Sequence, residues 1–448
     1  MLKRLGKLNL DLLLKYGVAA IILAVPLYPK FPFLTVPGIY VSVRLEDFLI
    51  LFVTLIWFFK KLPELPRLWR DPIVRAIILF LVVGFVSTAC GIIFLKGVTW
   101  HIGFLTWVRR VEYLVGFFIA LTTLKSKEDL MFYVKCVGLV LILVFVFGIG
   151  QKYLGWPVIT TQNMEYSKGI ALRYVPGGHL ASTFAGHYDM ATYIILMAPI
   201  FYALFFVTKD RFLKFLILFV IITSFWLLVN AASRISAVSY VVSVSTTLFL
   251  IRKYKYIPIV AIVTVIFVFS TSNLLDRYIN ILDVIRKKVS VVVVHEAWAQ
   301  DVVSPTPTNP PVTVSMPILE DRSTSIRFNV EWPRAIRALE KNLLLGTGYS
   351  SITLATDNDY LRVLGELGLL GAVATFFVYF RIIKTFLKKI PLPKKIDFKS
   401  AYLAGIIGAI PGILLNAVFI DVFEASKFAI AFWLMIGFGI ALIRHEKI

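Results

Sequence analysis

The stretch 321–371 brings together the residue types that chemistry on an anionic substrate needs. It carries Arg322, Arg327, Arg334 and Arg337, then Asp357-Asn358-Asp359, and it ends in an apolar run that begins at Tyr360. Arginine forks match phosphate oxygens two at a time and stay charged at any working pH. Arg327 and Arg334 are seven residues apart and Arg334 and Arg337 three apart, so a regular helix would put all three on one face. Glu331 and Glu340 lie on the same segment, and ordinary ion pairing is the plainer reading of any one of these arginines. Asp357-Asn358-Asp359 has three readings. It is a D-x-D set of hard oxygen ligands for Mg²⁺, or a general base toward a sugar hydroxyl, or a cap on the helix starting near Tyr360. Asn358 and Tyr360, beside the carboxylates, join the arginines as substrate-binding candidates.

Arg234 is a second source of positive charge. It follows Asn230-Ala231-Ala232-Ser233 in a very short turn between two apolar runs, at headgroup level. A snorkelling anchor and an anion ligand both fit such an arginine. The small neighbours Ala231, Ala232, Ser233 and Ser236 leave room for a ligand group. His187, in Gly186-His187-Tyr188-Asp189, opens another apolar run and is placed to line the same site. His101, His179, His295 and His445 show no zinc spacing. Asp421 and Glu424, with Asn416 nearby, sit in the last turn on this side. One of the arginines above is their expected partner.

These residues are carried by a membrane scaffold. The chain is 59% hydrophobic with a mean hydropathy of +0.83, far above the usual soluble composition of about 45–50% apolar. Spanning helices need about 20 mostly apolar residues, because backbone N–H and C=O groups must pair internally in lipid. Twelve spans are predicted, near 13–31, 43–60, 73–95, 104–124, 130–150, 188–208, 213–231, 235–251, 257–274, 361–384, 400–419 and 423–443. This makes an all-α polytopic membrane protein. Its plan is five spans within 1–150, a loop at 151–187, four spans within 188–274, a large loop at 275–360 and three spans within 361–448. The start, Met1-Leu2-Lys3-Arg4, looks like a signal n-region but no small-residue cleavage site follows, so the first run reads as a retained helix.

The net charge of +21 is no signature of nucleic acid binding. Lys and Arg fall in every second gap, as cytoplasmic loops do under the positive-inside rule. Both termini are therefore expected in the cytoplasm of a plasma-membrane protein, with the loops 151–187 and 275–360 outside. Within the large loop, Asp276–Lys288 suggests an amphipathic helix and Val291–Val294 a β-prone run. Pro305, Pro307, Pro310, Pro311 and Pro317 suggest an extended excursion. A helix then starts with Ser323 or Thr324 as its cap, and Gly346-Thr347-Gly348 forces a turn. Cys90 and Cys136 lie in apolar runs as packing residues. P-loop, nucleotide-binding and Gly-x-Ser-x-Gly signatures are absent, which argues against a nucleotide-sugar donor.

From about 180 to 443 the chain resembles the O-antigen polymerase and ligase superfamily. The segments that carry this are Ser182-Thr183-Phe184-Ala185-Gly186-His187, Ala232-Ser233-Arg234-Ile235-Ser236-Ala237, and Arg327 to Trp332 with Leu345-Gly346-Thr347-Gly348. Asp359-Tyr360-Leu361-Arg362 with Glu366-Leu367-Gly368-Leu369-Leu370-Gly371 follows, and then the last span with Phe432-Trp433-Leu434 and Gly437. The resemblance implies a GT-C-like fold of about twelve spans. It also implies transfer of a glycan from an undecaprenyl-diphosphate carrier at the outer face, with inversion and without metal or other cofactor. Membrane lipids, a chain-length regulator and a flippase are its implied partners. Family arginines that hold the diphosphate match Arg234 and Arg327, and Asp357 or Asp359 falls to the base. In ligases a histidine precedes the equivalent patch. Here Asp357-Asn358 stands in its place, which leans toward polymerase-type members whose acceptor is another lipid-linked repeat unit.

A transporter or flippase of a lipid-linked glycan would share the basic pocket. It would also need polar residues through the midplane, and few charges fall within the spans beyond Arg109, Arg110 and Glu112. A purely structural membrane partner would leave the arginine cluster without a ligand.

Overall fold

The computed structural model describes residues 10–29, 33–34, 43–158, 172–173, 179–271, 326–352 and 355–444. Arg322, the cap candidates Ser323 and Thr324, the segment Asp276–Lys288, the run Val291–Val294 and the proline-rich stretch lie outside the described residues. Thirteen helices carry the architecture: α1 (Leu10–Leu27), α2 (Leu45–Lys61), α3 (Pro72–Ile93), α4 (Trp100–Thr123), α5 (Lys127–Tyr153), α6 (His187–Val207), α7 (Arg211–Ala231), α8 (Arg234–Leu250), α9 (Ile257–Thr271), α10 (Trp332–Lys341), α11 (Asp359–Leu387), α12 (Phe398–Asn416) and α13 (Ser426–Arg444). All but α10 coincide with the twelve predicted spans. By length and apolar content, eight of them are able to cross a membrane: α1, α3, α5, α6, α7, α11, α12 and α13. Helices α2, α8 and α9 are short, and α4 carries the charges Arg109, Arg110 and Glu112. The described β-structure is a two-stranded ribbon, β1 (Pro157–Val158) against β2 (Leu172–Arg173), and an isolated bridge between Leu34 and Val43.

The centre of the bundle is α6, α12 and α13, whose side chains are almost all buried. In lipid the hydrophobic effect does not drive helices together, so close packing through small residues does. Helix α12 meets α6 and α8 through Gly405, Gly408 and Gly412. A methyl group at these positions would run into Ile200, Thr247 and Ser243. That contact locks the start of α8, and with it Arg234, to the end of α12. The Asn416 amide confirms the lock: it accepts from Ser236 at 3.2 Å and donates to Thr192 at 2.7 Å.

The charge pairs separate the two ends of the bundle as the alternation of the gaps requires. At one end Asp11 pairs with Lys60 and Lys125, Lys15 with Asp129, and Arg444 with Asp71. At the other, Arg109 pairs with Asp47 and Arg110 with Glu424. The Lys427 ammonium, fully buried, donates to the carbonyls of Pro26, Tyr28 and Thr183 at 3.1, 2.7 and 2.7 Å. These contacts tie together gaps that the sequence assigns to a common side.

Helix α11 is broken at Gly368, which takes φ +66° and ψ −166°. The break frees backbone groups at depth, and the segment 343–348 fills it. Gly348 N–H donates to Glu366 O at 2.7 Å, Thr347 N–H to Gly365 O at 3.1 Å, and Leu369 and Leu370 N–H to Leu343 and Leu344 O at 2.9 and 3.1 Å. Gly346, at φ +65°, faces Gly368 so closely that a side chain on either would meet the other's backbone. Irregular backbone is tolerated at such depth only where protein partners satisfy it. The predicted turn at Gly346-Thr347-Gly348 is thus half of a two-part device. Its effect is to hold α10 against the first turns of α11, where Gly365 allows α10 to approach at Ala335.

Candidate active site

Asp357 sits on the short segment leading into α11, and its backbone is held in a demanding form. Its φ of +48° is in the left-handed region, which costs a non-glycine residue energy and persists only where the surroundings enforce it. Asp421 enforces it. Its carboxylate accepts the N–H groups on both sides of Asp357, from Thr356 at 2.8 Å and from Asn358 at 3.0 Å. The Asn358 side chain then caps α11 by accepting the Leu361 N–H at 2.9 Å. The capping reading of the tripeptide therefore belongs to Asn358, and the Asp357 side chain is directed elsewhere.

It meets Arg327. Nε and one terminal nitrogen of Arg327 donate to Asp357 Oδ2 at 3.0 and 2.8 Å. Arg327 lies in a π-helical turn, Arg327–Glu331, that precedes α10. Such a turn inserts a residue into the helical register and is often found at functional sites. The seven-residue spacing to Arg334 therefore no longer returns to one face, which corrects the expected three-arginine stripe. Arg327 is buried, Arg337 is exposed, and the Arg334 guanidinium has a buried nitrogen with no hydrogen-bond partner. Burial lifts the Asp357 carboxyl above the usual carboxylate range, Asp421 adds to the lift, and Arg327 pulls the other way. Glu331 in the π turn is pushed up to about 7 by its burial and by Asp357. Glu331 was visible in the sequence only as a neutralising charge.

Tyr188 lies close enough to the Arg327 guanidinium to favour its charged form, and this proximity joins the two halves of the site. The Tyr188 ring lies 4.0 Å from that of His187, and His187 stacks on His179 at 4.3 Å. His179 Nδ1 is 3.2 Å from the Ala231 carbonyl, at the end of α7. Ala232, at φ +51°, turns the chain, and the Ser233 side chain caps α8 at Ser236 N–H. Arg234, exposed, opens that helix. The opening of α6, with Tyr188 beside Arg327 and with His187 stacked on His179, therefore lies against the turn that carries Arg234. Both arginines stand at the same end of the bundle.

Asp359 and Tyr360 are placed differently. The Asp359 carboxylate is buried and accepts the Val422 N–H at 2.8 Å and the Phe423 N–H at 3.3 Å, while its own N–H donates to Ala417 O. Tyr360 is partly exposed and its hydroxyl donates to Leu414 O at 2.8 Å. Asp421 and Glu424 do have arginine partners, but not the expected ones. Arg362 lies 3.2 Å from Asp421, 3.5 Å from Glu366 and 3.9 Å from Glu424, and Arg110 also pairs with Glu424 and donates to Phe423 O. Burial alone would raise the Glu424 carboxyl, yet Arg110 and Arg362 outweigh it and hold it below its ordinary value. The signal for Arg362 was present in sequence as the four-residue spacing to Glu366. Among the described residues, no group of three or more His, Cys, Asp and Glu is arranged to hold a metal ion.

Residues 218–376 match the family model described as O-antigen ligase (Wzy_C). The match spans Arg234, Arg327, Asp357 and the Gly368 break, and it agrees with the superfamily resemblance read from the motifs. A comparison with curated proteins gave no match.

Proposed function

With the O-antigen ligase family match as premise, we propose that this protein transfers a preassembled glycan from a polyprenyl diphosphate to an acceptor hydroxyl. The observation that carries the reading is the Arg327–Asp357 pair, with Tyr188 beside the guanidinium and the opening of α6 set against the turn of Arg234. A diphosphate is already an activated leaving group, so the enzyme chiefly needs fixed positive charge where negative charge grows. Arg327 and Arg234 supply it. The other requirement is a base on the opposite face of the sugar, as in inverting glycosidases. Asp357 takes that role once a phosphate oxygen has replaced it on Arg327, since a cation on the leaving group and a base on the far face act from separate positions. The acceptor hydroxyl gives its proton to Asp357, its oxygen forms the new bond to the anomeric carbon, and the carbon–phosphate oxygen bond breaks with the electron pair leaving on the diphosphate. The anomeric centre inverts, and no metal is required. Asp359, saturated by the backbone of 422–423, holds the loop under the site.

The family description favours a ligase, whose acceptor is a lipid or protein outside the repeat-unit pool. A polymerase, with a second lipid-linked repeat as acceptor, is favoured by Asp357-Asn358 standing where the resemblance puts a ligase histidine. Purified protein given a labelled lipid-diphosphate oligosaccharide, without nucleotide, separates these. Glycan moved to a non-carrier acceptor identifies a ligase, and longer glycans on the carrier a polymerase. An unchanged substrate in the presence of both acceptor types overturns the transferase reading.

A further inference from the structure

The end of the bundle opposite the candidate site holds a polar pocket between the tips of α1, α2, α4 and α5. Its cavity is about 170 Å³, and its charged lining is Lys15, Lys60, Lys61 and Lys125 with Asp11 and Asp129. Lysines in a gap of this kind ordinarily spread into solvent. Here they converge. Lys60 and Lys125 both turn to Asp11, the latter at 2.6 Å, and Lys15 lies 2.6 Å from Asp129. The Lys60 and Lys61 side chains are only 19% and 13% exposed. Removing ammonium groups from water is costly unless anions compensate. Four ammonium groups face Asp11 and Asp129 in the lining, and Glu64, 2.9 Å from Lys61 at its edge, leaves one positive charge in excess. Thr122 and Thr123 line the same space as polar neighbours. The flank is apolar and open: Leu12, Tyr16, Phe58 and Phe59 are all exposed on α1 and α2.

We propose that this pocket binds the phosphodiester of a lipid headgroup with net negative charge. Its volume suits one phosphate group, its single excess positive charge suits a monoanion, and its apolar flank suits the acyl chains of an anionic lipid in the adjacent leaflet. Basic pockets between helix ends are a recurrent form of lipid headgroup recognition. The site stands apart from the transferase site, and its binding is read without any transfer reaction.

Native mass spectrometry of the full chain in detergent tests this, with phosphatidylglycerol, phosphatidylcholine or inorganic phosphate added. Wild type should retain phosphatidylglycerol and not phosphatidylcholine. The double variant Lys60→Gln/Lys125→Gln should retain at least about fivefold less, whereas Lys60→Arg/Lys125→Arg should keep it. The double variant Lys388→Gln/Lys394→Gln, which removes exposed lysines from the same end but outside the pocket, should bind as wild type. Competition by millimolar phosphate would identify free phosphate as an alternative source of the same group. Equal retention by wild type and the Lys60/Lys125 glutamine variant overturns the proposal. So does equal loss in the arginine variant or in the Lys388/Lys394 variant.

Discussion

Two charge clusters lie within one end of this bundle, and they differ in how completely they are satisfied. In the lower one, Arg362 and Arg110 are surrounded by Asp421, Glu366 and Glu424, with the ring of Tyr349 beneath Arg110 at 5.3 Å. In the upper one, Arg327 and Asp357 hold each other through one carboxylate oxygen, on a strained backbone and a π turn, and Asp357 remains 23% exposed. In the first arrangement Arg362 is shared among three carboxylates and Glu424 between two arginines, so removal of any member would leave others without a partner. The second is a single pair, and on the proposed function a phosphate oxygen would replace Asp357 on Arg327 and free the carboxylate. Asp421 links the two clusters, since it binds Arg362 with one face and fixes the backbone of Asp357 with both oxygens. The network below thus serves to orient the pair above.

The sharpest way to break this contrast is Arg362→Ala. It leaves buried carboxylates unpaired, which costs about 3–5 kcal/mol, so the detergent-solubilised variant should melt far below wild type or fail to accumulate. A melting temperature unchanged from wild type would remove the scaffold reading. Arg327→Ala should behave in the opposite way. Loss of one preorganised cationic donor lowers turnover by about 10²–10³-fold, while thermal stability should change little, because its partner Asp357 can reach water. Asp357→Asn, which keeps the shape, should lower transfer by about 10²-fold as a lost general base does. The pH profile sharpens this result. A base acts when ionised, and burial raises the Asp357 pKa, so wild-type transfer should fall as the pH drops through that raised value. The residual activity of Asp357→Asn should lose this acid limb. The smallest effect belongs to Asn358→Ala. Loss of the α11 cap costs about 1 kcal/mol of stability, and transfer should stay within a few-fold of wild type. A loss as large as that of Asp357→Asn would return Asn358 to the substrate-binding set.

Much of the scaffold was legible in the chain. Helices stand at the twelve predicted positions, and eight of them are long and apolar enough to cross a membrane, because apolar runs of that length have few other ways to satisfy their backbone in lipid. The charges of alternate gaps meet at opposite ends of the bundle, and the glycine turn before the carboxylates is present. Arg327, Asp357 and Arg234 were legible as chemistry-bearing types, and residues far apart in sequence do stand at one end. What was not legible was partnership. Asp357 and Asp359 are two residues apart and of one type, yet one meets a guanidinium at a lip and the other is buried under the backbone of 422–423. Tyr188 and Asp421, which connect and orient the site, have no local signature. The π turn at Arg327–Glu331, which spoils the helical spacing of the arginines, has none either.

Composition and periodicity by themselves determined a helical membrane chain and where its charged residue types fall, since these follow from local transfer energies and charge. Only the tertiary structure decided which carboxylate faces which arginine. A side chain's role here depends on distances set by helix packing, a broken helix and backbone donors supplied from 60 or so residues away, and no local pattern encodes them.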